Sequence, residues 1–329
     1  MRTAEFVTPK HPDKMCDIIS DMILDKFLEK DPNTRCTIHT MGGYGKVWIT
    51  GEVGTTVSVP TDEIKNIVKE VSDVEEVTIH LVNVPQQYSN VATDQGTVIG
   101  YANTETPSMI PFEYELAREL NRYIYSVYPV DGKTQITING TDVTVVASFQ
   151  NTNHTDLEEL IRIFFKDKSE LLVGQKFNVS KTFCNPLGTW TTGGFDSDSG
   201  ITGGQVVIDN YGPRIPVGGG AFSGKDGSKL DRAAAYMARK IAVDAIKKYR
   251  LMYALVELSY SVGTEQPVQA RIKGNDKGIN LETGVNLYEV YGYDLSPNGI
   301  IQKLQLKTPN FTKTSTWGHF GNGFLWDQT

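Results

Sequence analysis

The chain has 329 residues, too many for one ordinary core, so two or three domains are expected. Its 39 acidic and 32 basic residues leave a net charge of −7, which excludes a general nucleic-acid surface and leaves room only for local basic pockets. The three cysteines, Cys16, Cys36 and Cys184, lack zinc-site spacing and disulfide density, and neither a secretion segment nor a membrane-length apolar run is present, so a cytoplasmic protein with free thiols is expected.

In chain order, Pro12-Asp13 reads as a helix start, with proline at an early helical position and an acid in the first turn. Met15, Ile18, Ile19 and Met22 then form an apolar stripe, which leaves His11 and Asp13 at the helix's positive end. A histidine there is ordinarily a surface or capping residue, and only its HPDK context argues for more. Residues 35–41 and 46–52 read as strands joined by Gly42-Gly43-Tyr44-Gly45, and Glu52 ends the second. A helix over 61–72 turns Ile64, Ile67, Val68 and Val71 inward, and 77–82 is a strand. The same pattern recurs: a hairpin over 133–138 and 142–149 around a type I′ signal at Asn139-Gly140, then a helix at about 155–166. Later, 253–262 and 268–273 read as strands, 282–291 as a helix and 300–306 as another strand. Repeated units of this kind predict a layered α/β-type fold.

Two stretches carry the chemistry. Residues 185–205 are rich in Gly, Ser and Thr, with Asp196, Asp198 and a tryptophan, Trp190, suited to stacking on a purine. The second runs from Gly218 to Asp231: three glycines, then two lysines and two aspartates, Lys225, Asp226, Lys229 and Asp231. Loop amides and lysines suit a polyphosphate, and the aspartates suit the Mg²⁺ that accompanies it. A helix follows at once, with Leu230, Ala234, Met237, Ile241 and Ala245 on one face. Gly219 to Lys225 fits the start of a P-loop, but Asp226 stands where a hydroxyl is needed, and Pro213 and Pro216 interrupt any strand leading in. The P-loop reading is rejected. A surface turn capped by Ser228 would not need this charge density.

GGGAFSGKD followed by SKLDRAAAY resembles the glycine-rich signature of the S-adenosylmethionine synthetases (methionine adenosyltransferases). Ala92-Thr93-Asp94-Gln95-Gly96, with Gly100-Tyr101-Ala102 after it, is similar to the family's GAGDQG signature, and Lys10-His11-Pro12-Asp13-Lys14 to its GHPDK motif. Matches run on to Gly318-His319-Phe320-Gly321, so the resemblance covers nearly the whole chain. It implies an α+β layered fold of three β-sheet-plus-helix domains around a pseudo-threefold axis, with segments exchanged between them. The expected divisions are 1–88, 89–192 and 193–329.

The implied reaction joins the sulfur of L-methionine to C5′ of ATP and releases tripolyphosphate, afterwards cleaved to phosphate and pyrophosphate. A thioether is already nucleophilic, so the site must orient the reactants and stabilise the leaving oxygen rather than supply a base. By the resemblance, His11 stands near that oxygen, and Asp13 and Asp231 hold Mg²⁺. Asp131, Lys133, Thr189, Trp190, Asp198, Ala221 and Lys225 bind ATP, and Glu52, Gln87, Asp198 and Lys229 surround methionine. Asp94 is an active-site acid, and His11, Lys133 and Lys225 act on the reacting groups. A homodimer with sites between its subunits is implied, tetramers remaining open, and neither nucleic acid nor membrane is an expected partner.

Three departures stand out. After Gly200-Ile201-Thr202-Gly203 the family's phosphate-binding Arg-Lys pair is replaced by Gly204-Gln205, with Lys10 or Arg214 as possible substitutes. The family's potassium-ligand glutamate falls at His39, so only a weak dependence on K⁺ is expected. The segment from Val82 to Thr93 is shorter than the family's covering loop, which leaves the site more open. Two alternatives stay open at this point: a non-catalytic ATP- or S-adenosylmethionine-binding paralogue, and a tripolyphosphate hydrolase.

Overall fold

The structure is a computed structural model that describes residues 1–85, 90–167, 170, 174–274 and 292–328. Strand β1 (Arg2–Val7) leads into helix α1 (Pro12–Lys30). The helix begins where the sequence predicts: His11 is its N-cap and accepts the Asp13 N–H at 3.3 Å on Nδ1, with Pro12 in the first turn. The hairpin β2 (Arg35–Gly43) and β3 (Lys46–Gly54), helix α2 (Thr61–Ser72) and strand β4 (Glu76–Asn83) follow, with β4 parallel to β3.

The arrangement is then repeated. Strand β5 (Gly96–Asn103) and helix α3 (Phe112–Val127) precede the hairpin β6 (Gly132–Asn139) and β7 (Asp142–Phe149), helix α4 (His154–Asp167) and strand β8 (Asn178–Cys184), parallel to β7. The third round has the short β9 (Gly200–Ile201), the long helix α5 (Leu230–Tyr249) and the hairpin β10 (Tyr253–Tyr260) and β11 (Gln269–Gly274). Two short helices, α6 (Pro297–Leu304) and α7 (Phe311–Thr316), close the described chain.

The three sheets run β4-β3-β2-β9, β1-β6-β7-β8 and β11-β10-β5. In each, a strand from elsewhere joins antiparallel to the first hairpin strand: β9 to β2, β1 to β6 and β5 to β10. The strand opening each round is thus lent to another round's sheet, the segment exchange that the pseudo-threefold expectation requires. The long helices α1, α3 and α5 pack on these lent strands and on the hairpins beside them. Their apolar faces form one continuous core with the inner faces of the sheets. The contact of α5 with β5 is close enough that a Cβ on Gly100 would run into the backbone of Ala238.

Two expectations are corrected. Residues 300–306 form no strand: Ser296 caps α6, accepting the Gly299 N–H at 3.2 Å, Pro297 opens it, and Gln305 closes it in the left-handed region. The turn after β6 is not type I′, because its central residues are Gly140 and Thr141 and only Gly140 has positive φ; a type II′ turn asks for glycine at that first position. The helix expected over 282–291 lies outside the described residues, as do residues 86–89 of the shortened segment. No helix among the described residues is long and apolar enough to cross a membrane.

Candidate active site

Two loops meet the N-terminal half of α1, and a column of aspartates on that helix holds them. Asp13 Oδ1 accepts the Ile201 N–H at 2.9 Å, Asp17 Oδ1 that of Gly203 at 2.8 Å and Asp21 Oδ1 that of Gly224 at 2.8 Å. Asp25 continues the column and accepts the amides of Asn310, Phe311 and Thr312 at the start of α7. A spacing of four residues puts all four on one stripe of the helix. Buried beside them, Lys14 pairs with Asp17 and Asp209. Its positive charge offsets two buried carboxylates; burial drives Asp17 up to about 7 despite this ammonium.

Most of the predicted side chains gather in two depressions that share no lining residue, while Asp13 lines neither. The first, of about 470 Å³, is lined by His11, Asp131, Lys133, Thr189, Trp190 and Asp198 among others. Here the N-cap of α1 supplies His11, β6 supplies Lys133 and its N-terminal edge Asp131, and the loop after β8 supplies Thr189, Trp190 and Asp198. Trp190 is partly buried and its indole N–H reaches Asn185 Oδ1 at 3.3 Å, which fixes the ring. Asp131 accepts the Gly194 N–H at 2.8 Å and ties the loop back to β6. The Lys133 ammonium lies 2.8 Å from Glu5, a partner on β1 that sequence reasoning missed. Burial lowers the affinity of His11 for a proton, more than the nearby Asp131 and Asp13 raise it. With Nδ1 used as the cap acceptor, the neutral ring keeps its proton on Nε2.

The second depression, of about 680 Å³, is lined by His39, Glu52, Asp94, Lys225, Lys229 and Asp231, with Arg35 as a further cation. Lys225 reaches Asp231 Oδ2 at 2.6 Å, and Lys229 reaches Glu52 Oε1 at 3.0 Å. His39 loses proton affinity to burial and to the Lys225 charge beside it, so it enters this depression neutral. Ala221 lines neither depression; it packs on Gly203, joining the glycine-rich loop to the loop held by α1. Gln87 lies outside the described residues.

Three residues serve differently from what their sequence suggests. Asp226 points inward: it is buried and accepts the amides of Cys36 and Ser228 at 2.9 and 2.8 Å, stitching the loop to β2. Lys10 donates to Val71 O at 2.8 Å, at the end of α2, instead of facing a phosphate. Arg214 pairs with Glu113 at 2.9 Å and Glu105 at 3.3 Å. Neither cation makes up for the missing pair at Gly204-Gln205. The Gln205 amide instead donates to Asp13 Oδ2 at 2.7 Å, and a Cβ on Gly204 would collide with that same carboxylate. Asp17 and Asp21 were also missed; their signal was the four-residue aspartate spacing along the helix.

Family models for the N-terminal, central and C-terminal domains of S-adenosylmethionine synthetase match residues 1–106, 89–190 and 192–328. The chain belongs to the S-adenosylmethionine synthetase family. It is an enzyme, a methionine adenosyltransferase. S-adenosylmethionine synthases from Mesoplasma florum and Helicobacter hepaticus are each 33% identical over 99% of this chain, which covers 96% and 95% of those proteins. The alignment with the first spans 367 positions, more than the 329 residues present here, so that relative carries residues this synthetase lacks. A solved structure from Campylobacter jejuni, described as an unusual S-adenosylmethionine synthetase, superposes with a TM-score of 0.88 at 26% identity, covering 99% of this chain and 96% of that one. The α+β architecture of three sheets with helices is therefore the synthetase fold.

Proposed function

We propose that this synthetase transfers the adenosyl group of ATP to L-methionine in a site that takes one depression from each of two chains. The observation that carries this reading is the division of the predicted substrate-binding side chains between two depressions with no lining residue in common. In the first, Trp190 offers a face to adenine, Asp198 a carboxylate to the ribose hydroxyls, and Lys133 a charge to the phosphates. His11, with its proton on Nε2, is suited to donate to the oxygen that leaves C5′. In the second, the Glu52–Lys229 pair is a template for a zwitterion: the carboxylate suits the ammonium of methionine, and the ammonium its carboxylate. Lys225 and Asp231 face the polyphosphate end, with Asp94 beside them, and in two copies the two depressions would face one another. An uncharged strip on the open face of the β4-β3-β2-β9 sheet suits such pairing. There Met41 is paired in register with Trp48 and Ile201, and all three are exposed.

Mg²⁺ fits the carboxylates present. It commonly takes one or two protein carboxylates and leaves the rest of its shell to phosphate and water. Asp231 keeps Oδ1 for such a role, and each oxygen of Asp13 accepts one hydrogen bond and retains a second lone pair. No group of three or more acidic, histidine or cysteine ligands occurs among the described residues. The ion, when bound, would neutralise charge on the phosphates.

Incubation with ATP, L-methionine and Mg²⁺, following S-adenosylmethionine, phosphate and pyrophosphate together, tests the reading. S-adenosylmethionine should appear, and cleavage of tripolyphosphate should lag behind it. Cleavage develops charge on the phosphates themselves, where Gly204 and Gln205 supply none. One hydrogen bond to a charged group is worth about 1.5–3 kcal/mol, or about ten- to a hundredfold in rate. Gln205→Lys should shorten the lag. ATP bound without product would mark a non-catalytic paralogue, and phosphate without S-adenosylmethionine a hydrolase.

A further inference from the structure

The glycine-rich loop is fastened from beneath by a buried group that the reaction scheme does not use. Asp21 on α1 is fully buried. Its Oδ1 accepts the Gly224 N–H at 2.8 Å and Arg232 Nη1 at 2.8 Å, and its Oδ2 accepts Arg232 Nη2 at 2.6 Å. The same guanidinium, also fully buried, donates from Nη1 to the carbonyl of Lys225 at 2.8 Å. On the far side of the loop, Ile38 N donates to Gly224 O at 2.9 Å. Gly224 has φ 77°, and a Cβ there would run into Ile38 O. The main chain of Gly224-Lys225 is thereby gripped by α1 below, β2 at its side and the first turn of α5 behind. Only the side-chain torsions of Lys225 remain free, and its ammonium leans on Asp231.

We propose that Asp21, acting through Arg232, is the positioning residue for Lys225, holding its backbone so that the ammonium stays at the polyphosphate when Asp231 turns to another partner. The geometry has a clear division of labour. The five N–H groups of the guanidinium fork serve both Asp21 oxygens, the Lys225 carbonyl, Tyr236 OH and Thr314 Oγ1 at once, whereas a lysine ammonium has three donors on a single atom. Arg232 is itself steadied by Tyr236 OH at 3.0 Å and Thr314 Oγ1 at 3.2 Å, and the Tyr236 hydroxyl meets His319 Nδ1 at 2.6 Å. The grip therefore reaches the C-terminal segment, which closes over Arg232 from outside. An ammonium carried on a loop not held in this way would have to be ordered at each binding event, and affinity for phosphate would fall accordingly.

The inference rests on reading Lys225 as a polyphosphate ligand, and the experiment separates the two. The probe is inorganic tripolyphosphate with Mg²⁺, its affinity measured by calorimetry on the whole protein, alongside kcat and the KM for methionine. Lys225→Met tests the reading: unchanged tripolyphosphate affinity would remove Lys225 from the phosphate site. Arg232→Lys tests the inference, because it keeps a buried charge pair with Asp21 and gives up the hold on the Lys225 carbonyl. Tripolyphosphate affinity and kcat should fall about ten- to a hundredfold, with the methionine KM within about twofold of wild type, as expected for loss of a charged hydrogen bond at one end of the site. Asp21→Asn should do the same and lower stability as well, since it leaves a buried guanidinium unpaired. If it does not fold, the double variant Asp21→Asn with Arg232→Gln, which buries no charge, decides. Recovered stability with tripolyphosphate affinity still low supports positioning. Wild-type affinity in Arg232→Lys or in the double variant, with Lys225→Met impaired, would overturn it.

Discussion

Asp13 and Asp231 are asked to hold the same kind of cation from different surroundings. Asp13 is tied by Ile201 N and the Gln205 amide, whereas Asp231 leans on Lys225 and lies against Gly220. Asp13→Asn and Asp231→Asn should each lower activity and raise the Mg²⁺ concentration needed for half-maximal rate, because an amide is a poorer ligand for a hard cation. Wild-type rates for both at limiting Mg²⁺ would remove the metal role. Neutral His39, beside Lys225, puts a ring nitrogen and a nearby positive charge where a carboxylate would attract K⁺. Replacing Na⁺ by K⁺ at equal ionic strength should change the rate less than about twofold, and a large activation would show another ligand set. Residue types and motif order were readable in the sequence; side-chain direction was not. Lys10, Arg214 and Asp226 have the right charges at the right positions in the chain, yet each is captured by a partner 61 or more positions away or turned into the core. Only the fold decides such captures.

Among elements, those with a strong period were legible. Helices α1, α2, α4 and α5 and the three hairpins fall where apolar spacing and turn residues predict, because each buries one face against the same core. Helix α6 was misread since Ile300, Leu304 and Leu306 suggest alternation over too short a window, while its decisive signals, Ser296 and Pro297, lie before that window. Strands β1, β5, β8 and β9 and helices α3 and α7 passed unnoticed; β1 and α3 form an interface with each other that no local pattern announces. The contact of α5 on β5 is a close one, and it depends on Gly100. Gly100→Ala has no room for its methyl against the Ala238 backbone, so helix and strand must separate. The expected loss is about 3 kcal/mol, read as a lower urea midpoint with an unchanged slope. Since α5 also carries Asp231 and Arg232, tripolyphosphate binding should weaken in the same variant. A wild-type midpoint would show that the contact is looser than the backbone geometry implies.

At the scale of the whole molecule, the cyclic lending of β1, β5 and β9 means that no third of the chain completes its own sheet. The loops at the lent strands are where the site residues lie: His11 and Asp13 follow β1, Asp94 precedes β5, and Asp198 precedes β9. One fold rule therefore brings sequence-distant residues together, but into two depressions instead of one. If catalysis draws one depression from each of two chains, lesions in different depressions must complement. His11→Ala disables the first and Lys225→Met the second, and each variant alone should be nearly inactive. In a mixed dimer one site then carries both lesions and the other carries none. Equal amounts of the two variants, dissociated and reassociated at random, should recover about a quarter of wild-type activity, because half the dimers are mixed and half of their sites are intact. Size-exclusion chromatography before and after mixing establishes that subunits have exchanged. If exchange is complete and the mixture stays inactive, both lesions fall on every working site, and the reaction proceeds within a single chain.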